Sequence, residues 1–281
     1  MIRSVLVGCG RWGRRLLAAI RDHGAFEVVA VADSDATARS IAGPYAVASL
    51  EQALERAPAL VFVATPPALH ATHALRAMRV GCDVFVEKPM SLRSDAARAM
   101  CRQARNSGAV AMVGHLVLFH SQVSALVEAA RRGQIGELRK WESRRESSSG
   151  AADPLWTLAP HDLAIVRALD RSDVEETELH TTPDGKEIAL RFASGLRARL
   201  SLSTHAPQGV RSSKLIGTQG MLFADELMPS AVSPLRAELD HLAMCVQHRL
   251  TPMTSFEEAS WIVSTLERVQ VTAERVPLAV R

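Results

Sequence analysis

Six residues near the start of the chain, Gly8-Cys9-Gly10-Arg11-Trp12-Gly13, leave it few folds to choose from. They follow an apolar run at 4–7 and open a stretch, about 12–23, that sets Leu16, Leu17 and Ile20 on one helical face. Strand, tight glycine turn and helix in that order make a phosphate-gripping corner. The first glycine permits the turn, the second lets a pyrophosphate approach the backbone, and the third lets helix and strand pack closely. The helix N-terminus adds free N–H groups and the positive end of its dipole. Asp33 ends the next apolar run, where a carboxylate accepts hydrogen bonds from ribose hydroxyls. Ser34 and Asp35 follow it in place of arginine, and an acidic group repels a 2′-phosphate, so NAD is favoured and NADP is the lesser option.

The rest of the first half repeats the same rhythm. Strands are predicted at 4–7, 27–32, 46–47, 60–64, 83–86 and 109–113, with helices at 12–23, 35–41, 50–56 and 68–80, the pattern of stacked βαβ units around a parallel sheet. Beyond it, a helix at 122–132 leads to a strand at 138–145 and the small polar loop Ser147-Ser148-Ser149-Gly150, which has the composition of a mobile turn. From 174 to 226, β-type runs are joined by Pro183-Asp184-Gly185, Ser194-Gly195 and Thr218-Gln219-Gly220, which implies an antiparallel sheet of hairpins. Helices at 234–248 and 255–275 finish the chain. The fold class is therefore α/β: a dinucleotide-binding domain over 1–118, then a substrate-binding and oligomerisation domain over 119–281 with a largely antiparallel open sheet.

Composition closes off several function classes. With 281 residues and 47% hydrophobic content, the chain can bury a large core. The net charge is +3, but its 33 Lys and Arg are scattered among 30 Asp and Glu, a pattern that gives nucleic-acid binding no support. Cys9, Cys82, Cys101 and Cys245 lie far apart, so neither a disulfide framework nor zinc is indicated, and a reducing, cytoplasmic setting is expected. No apolar run is long enough to span a membrane. His70, His73, His115 and His120 lack acidic partners at ligand spacing, so no metal is expected. The single tyrosine, Tyr45, has no lysine four residues later, which argues against a Tyr-Lys dehydrogenase pair.

Glu87-Lys88-Pro89 closes the apolar run at 83–86. Lys88 is one of four lysines in a chain whose basic residues are otherwise arginine. An amine offers what a guanidinium does not: burial can draw its pKa toward neutrality, so it can hydrogen-bond or protonate a reacting oxygen. The bland alternative is a lysine snorkelling to the sheet edge and pairing with Glu87.

These motifs, with Ala64-Thr65-Pro66-Pro67-Ala68-Leu69-His70, Gly133-Gln134-Ile135-Gly136 and Leu155-Trp156-Thr157-Leu158-Ala159-Pro160-His161-Asp162, resemble the Gfo/Idh/MocA family over essentially the whole chain. The resemblance implies a Rossmann domain and an α/β domain whose open sheet builds a homodimer or homotetramer, with substrate between the two. It implies that Lys88 touches nicotinamide ribose and substrate, that the Lys88-Pro89 peptide is cis, and that Arg11, Trp12, Ser34, Thr65, Pro66, His70, Glu87 and His115 join the glycines and Asp33 around the cofactor. The family's D-x-x-x-H pattern falls on Thr157-x-x-x-His161, so the aspartate is missing while the acid/base histidine remains. An imidazole titrating near neutrality suits removal of a hydroxyl proton as hydride leaves the same carbon. Asp162 is expected to serve the helix start, and Asp153 to replace the lost carboxylate only if the chain folds back.

Arg145, Trp156 and Thr157 complete the expected substrate contacts. One of Arg144 and Arg145 must point to each face of its strand, and an inward guanidinium would grip a carboxylate or phosphate. The implied activity is NAD(P)-dependent interconversion of a secondary alcohol and a ketone on a sugar, cyclitol or nucleotide sugar. The alternatives are a non-catalytic NAD(P)-bound sensor, which Thr157 favours, and NAD-dependent glycoside cleavage.

Overall fold

The computed structural model describes residues 1–148, 153–205 and 209–275, with side chains as far as 272; Ser149 and Gly150 of the small polar loop lie outside the described residues. The first half winds β1 (Ile2–Val7), α1 (Arg11–Asp22), β2 (Phe26–Ala32), α2 (Ala36–Ala42), β3 (Ala46–Val47), α3 (Leu50–Leu54), β4 (Leu60–Val63), α4 (Pro67–Arg79), β5 (Asp83–Glu87), α5 (Ser94–Ser107) and β6 (Ala111–Gly114). Its six strands are parallel in the order β3-β2-β1-β4-β5-β6. The winding reverses between β1 and β4, and ligands of such sheets bind off the strands' carboxyl ends at that point.

β4 and the core of β5 are unbroken apolar runs because helices cover both faces of a parallel sheet. Phe26, Phe62 and Phe85 link three strands through ring contacts at 5.6 and 5.5 Å. α4 starts on Pro67, where a missing N–H costs no helical bond, and α2 is capped by the Asp35 carboxylate. α5 was not among the expected helices, although Ala97, Met100, Cys101 and Ala104 bury one face at helical spacing behind Asp95 in the first turn.

The second half adds α6 (Ser121–Arg131), β7 (Leu138–Glu146), α7 (Pro154–Thr157), α8 (Ala159–Leu169), β8 (Val174–Thr182), β9 (Gly185–Phe192), β10 (Arg197–Ser203), β11 (Val210–Gly217) and β12 (Met221–Asp225). The strand order is β12-β11-β7-β10-β9-β8. Hairpins join β8 to β9, β9 to β10 and β11 to β12 at the three expected turns. The sheet is mixed, because β7 enters between β11 and β10 and runs parallel to β10. One face buries Trp141, Ile188, Leu190, Leu200 and Leu215 in a core shared with Leu163 and Val166 of α8 and Leu126 of α6. The other face is polar, with Arg139, Glu142, Arg144, Arg197 and Arg199 exposed.

Two helices remain, α9 (Pro234–His248) and α10 (Phe256–Arg275). The chain divides into two compact units, one of residues 1–115 with 235–260 and the other of 116–234 with the residues from 261 onward. A single cut after 118 therefore gives way to a discontinuous division. The physical reason is an added strand contact: Val113 N donates to Thr254 O at 2.8 Å and Met112 bridges Ser255, binding the α9–α10 connection to the edge strand β6.

Candidate active site

Gly8 has φ +94°, and a Cβ there would lie 2.6 Å from the Ala64 carbonyl carbon, so only glycine lets β1 end against β4. A Cβ on Gly13 would meet the Gly8 oxygen at 2.1 Å, which fixes how closely α1 packs on the turn. Gly10 is different: apart from its chain neighbours, nothing lies within 4 Å of where its Cβ would stand. That open approach at the start of α1 fits a pyrophosphate. Thr65 adds a buried hydroxyl with no hydrogen-bond partner among the described residues, a further polar atom suited to a bound ligand.

The Asp33 carboxylate clips the same turn. Its Oδ2 accepts from Cys9 N at 2.7 Å and its Oδ1 from Asp35 N at 2.9 Å. Arg39 was not singled out from the sequence, yet its Nη1 donates to the carbonyls of Asp33 and Ser34 at 2.8 Å each, with Ser34 itself exposed. Arg11 is exposed on the first turn of α1 and Pro66 on the approach to α4.

Lys88 sits half-buried where β5 ends, and its peptide to Pro89 is cis. The Trp12 indole N–H donates to Glu87 Oε1, and the Lys88 amide donates to Glu87 Oε2 at 3.3 Å. The helix that opens the glycine turn is thus tied to the residue before the lysine. Burial pushes the Glu87 carboxyl up to about 7, against the pull of the Trp12 bond and the Lys88 charge. His115 is buried at the end of β6, and burial, then the Lys88 charge, hold it down at about 3, so it is neutral at physiological pH.

His70 departs from the expected cofactor contact. Its Nδ1 lies 2.8 Å from Pro89 O and its Nε2 2.8 Å from Thr65 O, so both ring nitrogens are taken by backbone carbonyls. Two carbonyls ask for two N–H donors, while burial lowers the ring's pKa and favours one. We therefore read His70 as a brace between the loops after β4 and β5.

In the second unit, Arg145 does point inward, but not toward a substrate. It is 4% exposed, and its Nε and Nη2 donate to Asp162 at 3.0 and 3.2 Å while Nη1 and Nη2 donate to Glu226 at 3.0 and 2.5 Å. Its fork is filled by the protein's own carboxylates, which overturns the substrate-gripping role. Asp162 lies in the first turn of α8, as expected, but its carboxylate is fully buried and committed to Arg145. Arg144 is exposed and pairs with Glu146. His161 is half-buried in the first turn of α8. Thr157 Oγ1 donates to Asp153 O at 2.8 Å, and the Trp156 indole N–H donates to Gln270 Oε1 at 3.1 Å. The Asp153 carboxylate caps α7 at Leu155 N and pairs with Lys186, so its charge is already engaged.

Among the described residues, no group of His, Cys, Asp and Glu side chains is placed to hold a metal ion, and no helix is long and apolar enough to cross a membrane.

Residues 2–115 match the model of the oxidoreductase family with an NAD-binding Rossmann fold. Residues 2–115 therefore form a domain of the Gfo/Idh/MocA family. Inositol 2-dehydrogenase of Rhizobium meliloti is 28% identical over 257 residues, 82% of this chain and 78% of that one. The dTDP-3,4-didehydro-2,6-dideoxy-alpha-D-glucose 3-reductase of Saccharopolyspora spinosa is 31% identical over 146 residues, 50% of this chain and 44% of the relative. Among solved structures, UDP-N-acetylglucosamine 3-dehydrogenase of Acidithiobacillus ferrooxidans superimposes with a TM-score of 0.88 at 20% identity, covering 96% of this chain and 97% of that one, a likeness of fold. The residues around the glycine turn fit the NAD that the family binds.

Proposed function

We propose that this protein interconverts a secondary alcohol and a ketone on a sugar, cyclitol or nucleotide-linked sugar, with NAD as the hydride carrier and NADP as the weaker ligand. The supporting observation is the Trp12–Glu87 hydrogen bond, which ties the phosphate-gripping helix to the residue that precedes Lys88. Bound nicotinamide supplies a hydride acceptor or donor. Lys88 orients and polarises the substrate oxygen, and its ammonium balances negative charge that develops there. His161 takes the hydroxyl proton during oxidation and returns it during reduction. Trp156 and Thr157 precede His161 by one helical turn or more in sequence and help to seat the sugar. The relatives' printed activities on inositol and on nucleotide-linked deoxysugars support this substrate class.

We further infer a homodimer or homotetramer formed through the polar face of the second unit's sheet, and a reducing cytoplasmic setting that keeps four buried free thiols as they are. The test is a screen of inositols, sugars and nucleotide sugars followed by NADH absorbance. Turnover should fall about a hundredfold or more in Lys88→Ala and in His161→Ala. Tight NAD binding with no turnover on any substrate would sink the enzymatic reading in favour of a sensor.

A further inference from the structure

Glu238 lies on α9, is 1% exposed, and neither of its carboxyl oxygens has a hydrogen-bond partner among the described residues. A carboxylate buried with no donor is far less stable than the neutral acid, so such a group keeps its proton. The charged group that faces it is Glu87, whose field adds to burial in lifting Glu238 well above the carboxylate range. The two differ in what surrounds them. Glu87 has the Trp12 indole N–H, the Lys88 amide and the Lys88 ammonium to support an anion.

Two carboxylates and one ammonium would leave an unbalanced negative charge in a buried site, whereas one retained proton balances it. We propose that only one of Glu238 and Glu87 is ionised near neutral pH, the proton being retained on Glu238, and that Glu238 thereby acts as a positioning residue for Lys88. While Glu238 is neutral, Glu87 and Lys88 form a matched pair at the end of β5. When Glu238 releases its proton to solvent, a second negative charge tightens the hold on the ammonium and makes Lys88 a poorer donor to a substrate oxygen. The other groups facing the set are His115, an uncharged ring beside Lys88, and the neutral Trp12 from α1.

The inference rests on the role assigned to Lys88, but two measurements on the full-length chain test it without turnover. The first is urea unfolding across pH for the native chain and Glu238→Gln. A buried acid whose folded pKa is raised stabilises the fold below its unfolded value near 4.5 and loses that contribution as pH rises. Relative to Glu238→Gln, the native folding constant should therefore fall by up to tenfold per pH unit above that point. The second is the rate at which acetic anhydride acylates Lys88, followed by peptide mass spectrometry. In Glu238→Gln the amine should reach half-maximal reactivity at a pH about one unit lower than in the native chain.

Parallel unfolding curves would overturn the retained proton on Glu238, and unchanged acylation would overturn the link to Lys88. Should Glu238→Gln fold poorly, Glu238→Met repeats both readings with an apolar group of similar length. Failure of the dehydrogenase reading would show itself differently, as an inactive protein with both pH signatures intact.

Discussion

Each unit buries two carboxyls and supplies one cation, buried in the second unit and half-buried in the first, and the two sets behave differently. In the second unit Arg145 reaches Asp162 and Glu226 with four hydrogen bonds, so both carboxylates share the two arms of one planar fork. In the first unit the cation is a lysine, Glu87 takes the available donors, and Glu238 takes none. Burial pushes Asp162 up while Arg145 draws it back, whereas burial and the Glu87 field both push Glu238 up. Burial alone does not decide whether a carboxyl stays charged; the supply of donors does. One cluster is closed upon itself and serves the fold, while the other remains open to titration beside the cofactor domain's lysine.

Removing Arg145 should break this comparison most violently. Arg145→Met strands two buried carboxylates without a counter-charge, a loss of about 3–5 kcal/mol that urea unfolding at pH 7 would record. The triple change Arg145→Met, Asp162→Leu, Glu226→Leu should recover most of it, because apolar groups of similar volume replace the set without stranded charge. NAD affinity below the unfolding transition should stay within about twofold, since the partners of Arg145 belong to the second unit. A mild effect of the single change would mean that the fork is solvated.

The first unit should answer to pH from both sides. His115 is held at about 3, so its contribution to stability is present above the ordinary imidazole value of 6.5 and is lost as pH falls through about 3. Glu87, held at about 7, contributes below 4.5 and loses that contribution as pH rises through about 7. His115→Leu should flatten the acid limb by up to about 1.4 kcal/mol per pH unit between those two imidazole values, as read from urea unfolding at pH 4, 5 and 6. Equal acid sensitivity in both chains would place a charged, solvated ring at 115.

What was legible in the sequence follows the same division. Gly8 and Gly13 could be read because their constraint is local, a turn that admits no Cβ, and Lys88 because it closes an unbroken apolar strand. Arg145 was expected to contact substrate if it pointed inward; it does point inward, but onto the protein's own carboxylates. Its carboxylates stand 17 and 81 positions away, and no local pattern announces either. Glu238 went unnoticed for the same reason, on a helix that follows the second sheet in the chain yet packs with the first unit. α5 is the instructive exception, since its buried stripe and acidic first turn were present in the sequence and were passed over between two stronger motifs.

Asp33 sharpens the comparison at a half-exposed site, where a carboxylate is held by backbone N–H groups instead of a cation. Asp33→Ser removes the charge that repels a 2′-phosphate and leaves Arg39 close by, at the Asp33 and Ser34 carbonyls. The ratio of NADP to NAD affinity, measured by fluorescence quenching, should rise about tenfold, or about 1.4 kcal/mol. An unchanged ratio would reduce Asp33 to a clip for the glycine turn.

The smallest expected effect concerns Thr157, where a carboxylate stood in the family pattern. Its hydroxyl is spent on the Asp153 carbonyl, and the Asp153 carboxylate is spent on the α7 cap and Lys186, so neither supplies the missing charge. Thr157→Asp places an anion four positions before His161 near the protein surface, where such a pair is worth only about 0.3–0.5 kcal/mol. That anion favours the protonated imidazole, so the acid limb of kcat/KM should move a few tenths of a unit toward higher pH, with kcat altered by no more than about threefold. If turnover instead rose by orders of magnitude, the natural threonine would mark a chain that had given up proton transfer at His161, and the open, titratable cluster around Lys88 would have to be read as part of a sensor.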